Sequence, residues 1–298
     1  MYHKIIIIYY TIILEKGKDF IKKGILGTGA IAIAGTAVNA AVENKDANDI
    51  VGFNHIPSAP VEAAENFVIH RANTRGGANH GWLQTRHSFS FSNYYDPERM
   101  GFGKLRVLND DIIAGGTGFG THPHDNMEII SIPLEGALKH KDSMGNEQVI
   151  KAGDIQVMSA GTGITHSEMN GLKDKPGKFL QIWVYPNKRG VTPRYDQITL
   201  KEERNKLQQI LSPSPDDAGV WIYQDAWFDL GTFDKGQKIQ HKLRRPKTHG
   251  VYAFVINGNV SINGQKLGER DAMGIWKVSS LDINTESNAR LLLMEVEI

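Results

Sequence analysis

Two pairs of side chains, each spaced by one residue, constrain this chain more than anything else in it: His122-Pro-His124 and His166-Ser-Glu168. Successive side chains on a β-strand alternate faces, so each pair projects from one side of its strand. The interval between the pairs reads as strands and tight turns. If the two strands face one another across a barrel, three imidazoles and a carboxylate converge on one point, which is a mononuclear metal site.

The surrounding pattern is all-β. Short strands are expected at 105–108, 127–133, 137–140, 147–150, 155–158 and 179–185, separated by turn signals such as Glu135-Gly136 and Ala152-Gly153-Asp154. Strands at this spacing make an antiparallel barrel or sandwich. One helix is expected, over 201–211, where charged residues accompany Leu207, Ile210 and Leu211. A break at 213–219 follows, and from Val251 the order strand, Gly turn, strand, Gly turn, strand, Asp repeats that of 129–155, so the chain carries the same barrel twice. The second copy has isolated His241 and His249 in place of a histidine pair and is expected to hold no metal. The expected organisation is an N-terminal extension over 1–42, a linker over 43–66, a metal-binding barrel over 67–200 and a second barrel over 201–298.

At 298 residues with 40% hydrophobic side chains the chain has enough apolar surface for two cores. Lys and Arg number 34 against 33 Asp and Glu, so no basic footprint points to nucleic acid or an anionic membrane. With no cysteine, thiolate chemistry and Cys-ligated zinc are excluded. Lysines between 16 and 23 precede a short apolar run over 24–37 that ends in small residues near Ala40, the layout of an export signal over 16–41; if that segment is not a signal, the protein is cytoplasmic. The apolar run is too short for a stable transmembrane span. Residues 2–14 fit no part of a signal; either translation starts near Leu14 or the stretch is an amphiphilic anchor or a buried N-terminal helix.

Three imidazoles and a carboxylate suit a divalent first-row metal, Fe(II), Mn, Co, Ni, Cu or Zn, over the oxygen-loving Ca or Mg. In an octahedral shell, His122, His124, His166 and Glu168 leave two positions open for a substrate and dioxygen. The plainer alternative is a structural metal, or histidines that only pack. Phe102, Phe119, Met127, Met158, Trp183 and Tyr185 divide between a pocket for a flat aromatic ligand and ordinary core. Glu128 is expected either to support an imidazole from outside the ligand set or to play a structural role. His80 and His87 read as surface or packing residues.

These motifs resemble the cupin superfamily and, within it, the pirin family. Gly116, His122-Pro-His124 and Glu128 match the first cupin motif, and Gly153-Asp-Ile-Gln-Val-Met-Ser-Ala-Gly161 the start of the second. The pirin pattern closes the second motif as Gly-x-x-His-x-Glu, here Gly163-Ile-Thr-His166-Ser-Glu168, and Trp82-Leu83 with His87-Ser-Phe89-Ser-Phe91 is similar to the pirin entry segment. The resemblance implies two tandem jelly-roll-like cupin barrels with one metal, normally iron, in the first. It also implies quercetin 2,3-dioxygenase activity on a small aromatic flavonol with O₂, Glu168 taking the proton of the 3-hydroxyl. Two other readings stay open: a non-enzymatic, metal-dependent redox-sensing protein that binds a protein partner, and a non-oxidative cupin enzyme.

Overall fold

The computed structural model describes residues 66–298. The first barrel contains β2 (Gly76–Asn79), β3 (Leu83–His87), β4 (Leu105–Ile113), β5 (Gly118–His124), β6 (Glu128–Glu135), β7 (Ala137–Asp142), β8 (Glu147–Lys151), β9 (Asp154–Ser159), β10 (Ile164–Asn170), β11 (Gly177–Val184) and β12 (Arg194–Thr199). The second contains β13 (Lys206–Ser212), β14 (Val220–Trp221), β15 (Ala226–Phe233), β16 (Lys238–Lys242), β17 (His249–Asn257), β18 (Val260–Ile262), β19 (Gln265–Leu267), β20 (Ala272–Trp276), β21 (Ser280–Thr285) and β22 (Ala289–Glu297). It also takes in β1 (Phe67–His70) from the start of the described chain.

Each barrel is a seven-stranded sheet facing a four-stranded one, and the two copies share a topology. The order β12-β9-β6-β11-β4-β3-β2 is matched by β1-β20-β17-β22-β15-β13-β14, and β5-β10-β7-β8 by β16-β21-β18-β19. Strand alternation then decides what each face does. The even-numbered residues Ile130, Ile132, Leu180 and Ile182 of the first barrel join Tyr252, Phe254, Leu292 and Met294 of the second in one apolar core, so the two large sheets pack against each other.

The opposite faces point into the barrels, and there the copies diverge. Inside the second, Val251, Ala253, Val255, Leu291 and Leu293 form an apolar filling, with Asp229, His241 and Glu295 the buried polar side chains beside it. Inside the first, Asn109, Asp111, Ser131, His140, Gln156, His166, Glu168 and Gln181 are buried polar side chains. Apolar clusters flank them, Leu83, Ile113, Leu138, Ile150 and Phe179 in one and Ile129, Met158, Ala160 and Ile164 in the other. Burying so many polar groups costs stability unless each finds a partner, and a barrel that retains them has a use for them.

Two expectations change. The segment 201–211 is not a helix: Asn205 takes a positive φ of 63°, which breaks helical continuity, and 206–212 runs as β13, antiparallel to β15 and parallel to β14. Pairing and burial of Ile210 and Leu211 outweigh the helix propensity of the charged run. The strand at Phe67, expected to open the first barrel, pairs instead with β20, Phe67 opposite Ile275 and His70 opposite Ala272. The export-type segment over 16–41, the early start and most of the linker over 43–66 lie outside the described residues. Among the described residues no helix is long and apolar enough to cross a membrane.

Candidate metal centre

His122 and His124 lie on β5, an edge strand, where Pro123 interrupts no ladder that the sheet requires. His122 sits directly opposite His166 on β10, and a register shift between His166 and Glu168 brings Glu168 opposite Phe119. β5 approaches β10 closely because Gly118 rests on the backbone of Glu168 and Met169; a Cβ there would overlap both.

The ligand atoms of His122, His124 and His166 all lie within 4.8 Å of one another. Their ring centroids are 4.5 Å apart for His122 and His166 and 4.9 Å for the other two pairs. Burial, reinforced by the neighbouring imidazoles, lowers the pKa of His124 to about 3 and of His166 to about 2. Both are neutral at physiological pH, as metal ligation requires. His122 Nδ1 lies 2.8 Å from the carbonyl oxygen of Gly120, which can only accept, so the neutral ring carries its proton on Nδ1 and its lone pair on Nε2. His166 Nε2 is buried with no hydrogen-bond partner among the described residues. An orphaned imidazole nitrogen beside two further imidazoles fits a divalent transition metal, which supplies the missing partner.

Glu168 is 1% exposed, and its carboxylate meets Ser131 and Gln181. Gln181 Nε2 donates to Oε2 at 2.6 Å, while Ser131 Oγ is 2.9 Å from both Glu168 Oε1 and Gln181 Oε1. The serine has one proton, so with Glu168 ionised it can satisfy only one of those two oxygens. With Glu168 protonated, the three groups close a ring in which each donates to the next. Burial raises the Glu168 pKa, opposed by its neighbours His122 and His140 and by the Ser131 and Gln181 hydrogen bonds.

The aromatic side chains stand on both flanks of the histidines. Trp183 lies edge-on to His124 at 5.0 Å and against Phe91 at 5.4 Å, with its buried Nε1 unpartnered among the described residues. Phe119 is 6.4 Å from the His122 ring and 5.2 Å from Trp82.

This chain matches the Pirin family over residues 68–184 and the quercetinase C-terminal cupin domain over 209–296. The Escherichia coli (strain K12) protein named quercetin 2,3-dioxygenase is 43% identical over 228 residues, 76% of this chain and 97% of its own. The chain belongs to the pirin family. A pirin-like protein of Caulobacter vibrioides is 40% identical over 223 residues, 74% of this chain and 95% of its own. The fold agrees with the crystal structure of the Escherichia coli pirin YhhW in complex with nickel(II), at a TM-score of 0.74 and 42% identity, covering 78% of this chain and 99% of that one.

In this pirin the histidines expected from the sequence come together, and among the described residues the cluster of mutually close ligand atoms consists of those three. The Glu168 carboxylate is turned to Ser131 and Gln181. Of the two roles expected for Glu128, the geometry favours the structural one: its Oε2 accepts from Ser159 Oγ at 2.6 Å. The turn after β5, with Asn126 at φ 44°, breaks the strand alternation on which the other role rested. Phe102 belongs to the core between the barrels, and Tyr185 is exposed. Met158 is buried beside Ile129, with Met127 and Trp183 packed on that cluster. His87 is buried, its Nδ1 2.8 Å from Asn109 Oδ1, while His80 is exposed. His249 bonds Thr248 and the Asp225 carbonyl, and His241 is buried without a partner for Nε2 among the described residues.

Sequence reasoning missed Ser131, His140, Asp142, Gln156 and Gln181 as residues of the site. A signal existed for the second and third, because in Leu138-Lys-His140-Lys-Asp142 the inward positions of a strand turn polar.

Proposed function

We propose that this pirin is an iron(II)-dependent dioxygenase that opens a flavonol such as quercetin at its C2–C3 bond, the C3–C4 bond breaking as well so that C3 leaves with its oxygen as carbon monoxide while the two atoms of O₂ bond to C2 and C4. One flavonol and one O₂ give one ring-opened aryl ester and one carbon monoxide, with both oxygen atoms retained in the ester and no external reductant. The observation that carries the proposal is the buried Glu168 carboxylate, held by Gln181 and Ser131 one strand position beyond the three-histidine cluster. The names and identities of the relatives point the same way.

A metal held by His122, His124 and His166, with Glu168 as the expected fourth ligand, would supply Lewis acidity and one-electron exchange with O₂. The chain's own residues do the rest. Glu168 takes the proton of the flavonol 3-hydroxyl, its raised pKa making it a stronger base than an exposed carboxylate. Gln181 and Ser131 fix which carboxylate oxygen carries that proton. Trp183 and Phe91 on one flank and Phe119 and Trp82 on the other present flat apolar faces to an aromatic ligand and reduce access of water.

The test is metal analysis of anaerobically purified protein combined with oxygen uptake and carbon monoxide release on adding quercetin. The expected result is about one iron per chain, with turnover falling about 100-fold or more in Glu168→Gln. Full uptake in Glu168→Gln or His122→Ala overturns the mechanism. Metal without uptake overturns the dioxygenase reading in favour of a metal-dependent binding protein or a non-oxidative enzyme, and anaerobic turnover separates those two.

A further inference from the structure

We propose that Asp142, His140 and Gln156 form a hydrogen-bonded relay that fixes the proton of His166 on Nδ1, leaving Nε2 bare, and thereby sets the affinity of the centre for its metal. The proposal rests on the metal-centre reading and is independent of the dioxygenase reaction.

His140 is fully buried on β7, and β7 pairs with β10 so that Asp142 is opposite His166 and His140 opposite Glu168. His140 Nε2 is 3.1 Å from Asp142 Oδ2, and its Nδ1 is 3.5 Å from both His166 Nδ1 and Gln156 Nε2. The ring lies 4.9 Å from that of Tyr195, whose hydroxyl is anchored on Gln197 at 2.8 Å.

The protons follow from one end. Asp142 is pinned as an acceptor: its Oδ1 takes the backbone N–H groups of Met144 and Asn146, and its Oδ2 the Asn146 side-chain amide. The His140 nitrogen facing it therefore carries hydrogen, and in a neutral ring Nδ1 keeps the lone pair. Gln156 Nε2, 3.5 Å away, can donate weakly to the same lone pair, an orientation that leaves Gln156 Oε1 without a partner among the described residues. The contact with His166 Nδ1 is then attractive only if His166 donates. A neutral His166 with hydrogen on Nδ1 has its lone pair on Nε2, the atom left without a partner among the described residues and beside His122 and His124. A second imidazole and a carboxylate thus do for His166 what the Gly120 carbonyl does for His122.

His140 is a positioning residue, because it acts only through His166. The experiment uses the full chain and nickel(II) as probe, with the dissociation constant measured by competition against a chromophoric chelator and the visible spectrum recorded with cobalt(II). In His140→Leu the relay is broken; nickel affinity falls 10- to 100-fold and the cobalt bands shift. His140→Asn places an oxygen where Nδ1 accepts and restores affinity to within a few-fold, a rescue that packing alone would not give. Wild-type affinity in a folded His140→Leu overturns the relay alone, whereas a wild-type protein that binds no nickel overturns the metal-centre reading with it. Nitrogen-15 spectra of the imidazoles in the metal-free wild type give a test that needs no variant: hydrogen on Nδ1 of His166 and Nε2 of His140 is expected, and the opposite assignment overturns the proposal.

Discussion

Gln181 Nε2 donates a 2.6 Å hydrogen bond to Glu168 Oε2 from the facing sheet, tying the carboxylate proposed as base to the wall of its barrel. Neither residue is free to move without the other. In Gln181→Leu the three histidines are untouched, so metal content stays near wild type, while the carboxylate loses its support and kcat for flavonol falls at least about 10-fold with a smaller change in KM. Metal analysis and steady-state oxygen uptake on one preparation check both halves.

Glu128 yields a pH-dependent prediction. Burial, only partly offset by Ser159, Arg194 and a backbone hydrogen bond, raises its pKa from 4.5 to about 7. A carboxyl group with a raised folded-state pKa keeps its proton in the native state after the unfolded chain has lost it. The stability it contributes is therefore present below about pH 4.5 and is lost as pH rises toward 7. Glu128→Gln removes this titration, so the melting temperature of the variant gains on wild type between pH 5 and pH 8, by about 2–4 °C per kcal/mol. Parallel melts across that range decide it, and a constant difference would refute the assignment.

Gly118→Ala acts on the centre without altering a ligand. The added Cβ meets the Glu168 carbonyl and Met169, forcing β5 away from β10 and the His122 and His124 pair away from His166. Nickel affinity should drop about 10-fold or more, by analogy with the loss of groups that orient ligands. Chelator competition measures it, with far-ultraviolet circular dichroism to show that the barrel persists.

The core shared by the two large sheets couples the barrels. Leu180→Ala opens a cavity in it and should cost about 2–5 kcal/mol. Because Leu180 and Leu292 belong to one cluster, the loss should lower a single cooperative transition of the described body. Calorimetry that resolved two transitions, only one of them shifted, would contradict this.

Much of this was legible in the sequence, for physical reasons that differ by residue. The pairs His122 and His124, and His166 and Glu168, could be read because period-two alternation is a local property that survives into the fold. The repeat of strand, Gly turn and strand could be read because turns at positive φ favour glycine, as at Gly136 and Gly258. What could not be read depends on partners distant in sequence. The charged run before Leu211 has helix-forming composition and becomes a strand only because β15 and β14 are there to receive it. Which of its two expected roles Glu128 plays could not be read, because the turn at Asn126 resets which face is inward. His140 and Asp142 went unread as part of the site because a buried imidazole two residues from an aspartate acquires meaning only when β10 lies beside it.

The pairing of β1 with β20 bears on how the molecule is made. Arg71, just past β1, bonds Asp271, just before β20, at 2.8 Å across 200 residues of sequence. Of the described strands, β1 leaves the ribosome before all others and its partner β20 among the last. The strands that build the first barrel are all synthesised by Thr199, so its sheets and its histidine cluster can assemble while the rest of the chain is still being translated. The second barrel must wait at both ends: for its own final strand β22, and for β1 to be captured from a stretch of chain that has been exposed since the beginning. Synthesis thus delivers the metal-binding half early, and the second sheet closes only when a strand made before that half pairs with one made near the end of the chain.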